Sequence, residues 1–210
     1  MLLPVVAWAE SVEIGGIWYK LMSSQKAAVV NNPSNPSGGS YSGAVTIPAS
    51  IEYGGTPYSV TAISDQAFFA CHNLTSLTIP EGVTYIGSMA FSDCSSLTSF
   101  TIPESVKDIE SSAFSGCSSL TSVTIPKGVT SISSQVFQGC SSLTSVTIPE
   151  GVFDIGGFAF SGCSSLTSVT IPEGVIMLGS SVFEKCSSLT SVTIPESVME
   201  LGWDVFSYCI

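Results

Sequence analysis

Seven cysteines stand at positions 71, 94, 117, 140, 163, 186 and 209, each 23 residues from the next. Thiolates are strong nucleophiles and soft-metal ligands, so this column is the first place to look for chemistry. Neither use fits the spacing. Zinc sites draw on closely paired Cys or His residues, whereas here the single histidine is His72, in the most divergent repeat. A Cys/His or Ser/His/Asp arrangement would have to use that residue. The thiols read instead as core: they are odd in number, should point inward in parallel, and cysteine is a good small core residue. All seven are expected to be reduced and buried. No catalytic residue, metal ligand or cofactor is expected.

Three other columns could make contacts. Glu81, Glu104, Lys127, Glu150, Glu173 and Glu196 each follow a repeat proline. They form either a rail for a cation or basic ligand, or a solvated rim in which Lys127 relieves like-charge repulsion. Pairs of hydroxyls recur at Ser99/Thr101, Ser122/Thr124, Ser145/Thr147, Ser168/Thr170 and Ser191/Thr193. They read as a multivalent contact surface, a neutral stalk, or an ordered array of the ice-binding kind. A third column turns apolar late in the chain. Phe153, Ile176 and Met199 replace Thr84, Lys107 and Thr130, with Phe158 and Met177 in adjacent columns and Trp203 and Tyr208 enlarging the last coil. This strip is either packing of the C-terminal edge or a lateral self-association or partner patch. Asn73-Leu74-Thr75 is a glycosylation sequon, which is uninformative in a bacterial host.

The elements that carry these columns follow from the repeat. Prolines at 80, 103, 126, 149, 172 and 195 and phenylalanines at 68, 91, 114, 137, 160, 183 and 206 keep the same 23-residue step. A fixed period of this length means a solenoid. In the unit "LTSVTIPKGVTSISSQVFQGC", Leu120, Val123 and Ile125 should point inward and Ser122 and Thr124 outward, because side chains alternate along a strand. Pro126 has no N–H for the ladder and ends the strand. Val129 and Ile132 return the chain along the outer side. Ser133-Ser134 can cap a short 3₁₀ turn carrying Val136-Phe137, and Gly139 lets the chain swing back. Each strand is rejoined by a long crossover, so the stack must be parallel. One coil cannot bury enough apolar surface to offset the ordering of its own backbone, so the array folds by stacking.

Residues 10–70 read as the N-terminal cap and 71–210 as the array. "VEIGGIWYKL" and "KAAVV" form a hairpin with Ile17, Tyr19 and Leu21 on one face, 31–43 is a loop by composition, and Tyr53-Gly54-Gly55-Thr56 is a second hairpin turn. Residues 1–9 resemble the remnant of a signal peptide, with an A-x-A-like site at Ala7-Trp8-Ala9. The sequence stops just before a next strand would begin, which is compatible with a longer native chain.

Sixteen acids against five lysines, with no arginine, give a net charge of −11. Nucleic acid has almost nothing to grip, and anionic membrane is repelled. No apolar run is long enough for a spanning helix.

The frame Cys94, Leu97, Phe100, Ile102, Pro103, Val106, Ile109, Ala113 and Phe114, repeated onward over residues 45–210, resembles the BspA-like leucine-rich repeats of bacterial cell-surface proteins. The "GGIWYKL" hairpin also resembles that family's usual opening. The resemblance implies a leucine-rich repeat solenoid with a parallel β-sheet on the concave face, short strands or 3₁₀ turns on the convex side, and an N-terminal hairpin cap. It also implies a secreted or surface-attached, non-enzymatic protein that adheres to extracellular or cell-surface protein partners. The alternative is a structural spacer displaying another domain. The asparagine ladder of longer-known leucine-rich repeats is absent, since Gly128 holds its position, so its backbone-satisfying role must lie elsewhere.

Overall fold

The computed structural model describes residues 10–33 and 39–209. The signal-peptide remnant, part of the 31–43 loop and any continuation past Ile210 lie outside the described residues. Two antiparallel pairings open the chain: β1 (Ser11–Ile14) with β2 (Ile17–Met22), and β2 with β3 (Ala27–Asn31). As expected, Ile17, Tyr19 and Leu21 share the buried side. β4 (Gly43–Thr46) follows, then the hairpin of β5 (Ser50–Tyr53) and β6 (Thr56–Ile63), which turns at Gly54-Gly55, both in the left-handed region.

From there each coil contributes one longer and one two-residue strand. They are β7 (Leu74–Thr78) and β8 (Tyr85–Ile86), β9 (Ser99–Thr101) and β10 (Asp108–Ile109), β11 (Ser122–Thr124) and β12 (Ser131–Ile132). β13 (Ser145–Thr147) and β14 (Asp154–Ile155), β15 (Ser168–Thr170) and β16 (Met177–Leu178), and β17 (Ser191–Thr193) and β18 (Glu200–Leu201) complete the stack. The longer strands form the Ser/Thr face, in the ladders β4-β7-β9, β11-β13 and β15-β17. The short ones form the return face, in the ladders β6-β8-β10 and β12-β14-β16-β18. β3 pairs in parallel with β6, so the N-terminal hairpin continues the return face and covers the first coil's edge there.

The core lies between the faces. Val123, Ile125, Val129, Ile132, Val136, Phe137, Cys140 and Leu143 are all buried, and the pattern repeats coil after coil. From Phe68 to Phe206 consecutive Phe rings of the column stack at 5.1–5.6 Å. That spacing is close to the one between paired strands, so identical side chains can pack on themselves at every step.

The turn between the faces differs from the expected capped 3₁₀ turn. The described residues contain no 3₁₀ or α-helical segment; tight turns close one after another, as in Gln138 N–H to Gln135 C=O (3.1 Å) and Cys140 N–H to Phe137 C=O (3.2 Å). Ser133 does not cap. Its hydroxyl donates to the Ile109 carbonyl of the preceding coil at 2.8 Å. Each turn also pairs with the next coil, as in Phe137 N–H to Ala159 C=O (2.9 Å), which makes a third ladder along the stack. Two residues per coil are left-handed here. One site is Gln66, Met89, Ser112, Gln135, Phe158, Ser181 and Asp204 in successive coils, never glycine; the other is glycine at 116, 139 and 162 but Ala70, Asp93, Lys185 or Tyr208 elsewhere.

Candidate interaction surfaces

The cysteine column is part of the framework. Six of the seven thiols are buried, and each of Cys94, Cys117, Cys140, Cys163, Cys186 and Cys209 donates from Sγ to the carbonyl of the Phe 26 residues earlier, at 3.0–3.3 Å. This is the backbone-satisfying role that the missing asparagines leave open. Burial pushes the Cys117 and Cys186 thiols up to about 12 and raises the others in the same direction, so they are poor nucleophiles at neutral pH. Cys209 departs from the expectation of full burial: it is half-buried, because no described coil stacks beyond it. Among the described residues no group of three or more His, Cys, Asp or Glu side chains could hold a metal ion, and no helix is long and apolar enough to cross a membrane. His72 is exposed.

The five hydroxyl pairs project from the Ser/Thr face as the alternation requires. Ser99, Thr101, Ser122, Thr124, Ser145, Thr147, Ser168, Thr170, Ser191 and Thr193 are all exposed. Paired strands hold them in register, Ser122 opposite Ser145 and Thr124 opposite Thr147, Ser168 opposite Ser191 and Thr170 opposite Thr193. A flanking column missed in the sequence, Thr98, Thr121, Thr144, Thr167 and Thr190, has its hydroxyls committed elsewhere. Thr144 Oγ1 donates to the Thr121 carbonyl at 3.0 Å, and its equivalents do the same. The signal was present, since threonine at one end of every strand can bond the coil before it.

The face is not uniform throughout. Phe100, where other coils carry Val or Leu, stacks on Phe114 at 4.7 Å and is half-buried. β9 and β11 lie side by side without a ladder pair, and a cleft of about 310 Å³ opens there, lined by Ser99, Phe100, Thr101, Ser122 and Thr124. On the rim, Lys127 lies between Glu104 and Glu150 along a second cleft of about 370 Å³, and its N–H donates to Glu104 Oε2 at 3.4 Å.

On the return face, Phe153, Ile176 and Met199 are exposed on successive coils, tied by Ile176 N–H to Phe153 C=O (2.8 Å) and Met199 N–H to Ile176 C=O (2.9 Å). Phe153, Ile176 and Met177 line one groove of about 230 Å³ together with Asp154 and Glu200. Phe158 is exposed in the turn beyond Ile155 and does not line that groove.

A model of the BspA type leucine rich repeat region matches residues 48–153 and 90–210, in six copies. Among solved structures, the chain is 29% identical to a leucine-rich repeat protein of T. pallidum, with a TM-score of 0.79 over 92% of this chain and 86% of that one. A leucine-rich repeat protein from Bacteroides ovatus is 30% identical, with a TM-score of 0.65 over 91% of this chain; the chain spans 55% of that protein's length. A leucine rich cell surface protein from Faecalibacterium prausnitzii is 26% identical, with a TM-score of 0.57 over 94% of this chain and 73% of that one. No curated protein matches the chain.

Proposed function

Since the chain belongs to the BspA-type leucine-rich repeat family, we propose that it is a non-enzymatic protein-binding module, secreted or held at the bacterial surface. Residues 10–70 serve as its cap and 71–210 as the array that presents the contact surface. The observation that carries this reading is the set of exposed Ser/Thr pairs on five successive coils, whose hydroxyls make no side-chain hydrogen bond among the described residues. Hydroxyls held in this way on a stiff frame can bond a partner's backbone or side chains with little further loss of entropy. The printed description of the F. prausnitzii relative as a cell surface protein supports the location. Partners are extracellular or cell-surface proteins, and nucleic acid is excluded by the charge of −11.

The alternative is a spacer, favoured by the same sameness of the pairs, since recognition surfaces on solenoids usually differ from coil to coil. The test immobilises the protein and exposes it to purified extracellular matrix and cell-surface proteins. Any partner retained is titrated against Ser145→Lys/Thr147→Lys and against Ser111→Lys, on the turn side, as a control. Loss of binding only with the first pair supports the Ser/Thr face. Retention of no partner at all favours the spacer.

A further inference from the structure

The return face carries a second feature, independent of the Ser/Thr face. Asp154 begins β14, paired with Ser131 on one side and Met177 on the other. Its counterpart two coils earlier, Asp108, is exposed, next to Lys107. Asp154 instead shares a groove with Phe153, Ile176 and Met177 and is half-buried. Its Oδ1 is shut off from solvent and has no hydrogen-bond partner. A carboxylate with one oxygen in that state is poorly solvated, and a cation against its groove side would offset part of that cost.

No lysine lining the groove supplies that cation. The groove is lined by Phe153, Asp154, Ile176, Met177 and Glu200, so it holds two acids and no lysine. The nearest cation in the column is Lys107, two coils before Phe153 and so roughly 10 Å away along the stack. The chain's own surface cannot fill this need in a second copy either. With a net charge of −11 and five lysines, two copies repel each other. An anionic membrane is repelled for the same reason.

We propose that this groove is a docking site for a polypeptide segment in which Arg or Lys alternates with aliphatic side chains. The cationic head sits against the groove side of the Asp154 carboxylate and Glu200, its methylene stem lies along Phe153 and Ile176, and the flanking aliphatic residues cover Met177 and Met199. A guanidinium fits best, because it donates in a fixed fork to carboxylates and its plane can lie on the Phe153 ring. The apolar strip, which the sequence offers for self-association or for a partner, thus takes a basic partner and not a second acidic chain.

The probes are two synthetic ten-residue peptides that alternate Leu with Arg or Leu with Glu, titrated by fluorescence anisotropy at physiological salt. The Arg peptide is expected to bind and the Glu peptide not to. Asp154→Asn should weaken the Arg peptide about tenfold, the scale of one charge-assisted hydrogen bond. Phe153→Ser/Ile176→Ser should weaken it comparably, and should fold normally because the same column already carries Lys107 and Thr130; thermal unfolding checks this. Glu173→Gln, which removes the same charge on the rim, should change affinity less than about twofold, since screened distant charges contribute little. Ser145→Ala/Thr147→Val should leave peptide binding intact, which separates this site from the Ser/Thr face. Equal effects of Asp154→Asn and Glu173→Gln, failure of the Arg peptide to bind, or a dimer that Phe153→Ser/Ile176→Ser abolishes would each overturn the proposal.

Discussion

The Cys140 thiol donates to the Phe114 carbonyl across 3.3 Å, and the same carbonyl accepts the Cys117 N–H of its own coil at 3.2 Å. One oxygen therefore closes a turn and joins two coils. Cysteine suits the place because its sulfur fills apolar space while its weak donor completes the carbonyl's second site. Cys140→Ala removes both contributions and should cost about 1–2 kcal/mol. That lowers the melting temperature by roughly 2–8 °C for a chain of this size. Cys209→Ala, at a half-buried position, should cost less.

The same thiols make stability depend on alkaline pH. Folding holds Cys117 and Cys186 up to about 12, raises Cys71, Cys94, Cys140, Cys163 and Cys209 as well, and burial is the first cause throughout. An unfolded thiol ionises near ~8.5. Between the two values the folded chain binds more protons than the unfolded one, so stability is whole below ~8.5 and falls as pH rises toward 12. The slope is about 1.4 kcal/mol per pH unit for each thiol involved. Urea titrations from pH 7 to 10.5 should show this fall, and Cys117→Ala/Cys186→Ala should reduce its slope by about two protons. A flat profile would refute the thiol ladder. At neutral pH, thiol reagents should find Cys209 first and all seven only after denaturation.

Glycine is needed for space at Gly179, although earlier coils carry Glu110 and Ser133 in the same column, and is merely tolerated at Gly151. A Cβ on Gly179 would lie 2.4 Å from the Gly157 nitrogen of the preceding coil, whereas one on Gly151 would meet only the Lys127 carbonyl, at 3.7 Å. Gly179→Ala must push two coils apart at a backbone contact and should destabilise by about 1–3 kcal/mol. Gly151→Ala should be close to neutral. Thermal unfolding of the two variants decides it, and equal melting temperatures would contradict the close stacking seen here.

Much of this was legible in the repeat. The inward set Leu120, Val123 and Ile125, the outward Ser122 and Thr124, and the parallel pairing follow from side-chain alternation and a long crossover, and all are observed. The two N-terminal hairpins were legible because Gly15-Gly16 and Gly54-Gly55 mark their turns. The left-handed residues between the faces were not. Glutamine occupies one at Gln135 and phenylalanine another at Phe158, where neighbouring coils impose the conformation and no local residue signals it. The parallel pairing of β3 with β6 joins segments far apart in sequence, which no local pattern announces. Asp154 was overlooked for a related reason: its ladder partner Met177 lies one coil further on, and no local pattern shows that the carboxylate is half-buried.

Asp154 also gives a test at acidic pH. Desolvation raises its carboxyl above the ordinary Asp value, so the folded chain binds its proton more tightly than the unfolded chain. Stability from this group is greatest below the unfolded value of ~3.9 and falls as pH rises through the folded value. Asp154→Asn removes the dependence. The variant should therefore melt about 1–3 °C above the parent at pH 7, and the gap should close near pH 3.5. A parent that is the more stable at pH 7 would mean that Asp154 has a stabilising partner after all.

If binding by the Ser/Thr face is shared among coils, it must change gradually with their number. Each Ser/Thr pair offers a few neutral hydrogen bonds, a weak contact taken singly. Affinity then comes from several coils engaging one extended or repetitive partner at once, each contact raising the effective concentration for the next. The 23-residue register allows a clean test: deleting residues 117–139 joins Gly116 to Cys140, as Gly116 was joined to Cys117, and leaves every column intact. Deleting 117–162 removes two coils in the same way and joins Gly116 to Cys163. With a partner in hand, each lost coil should weaken binding by a similar few-fold factor, and Ser122→Lys/Thr124→Lys, Ser145→Lys/Thr147→Lys and Ser168→Lys/Thr170→Lys should each have comparable, modest effects. Abolition by one pair alone would locate a single site. Loss only at Ser122/Thr124 would point to the cleft beside Phe100, where the face departs from its repeat.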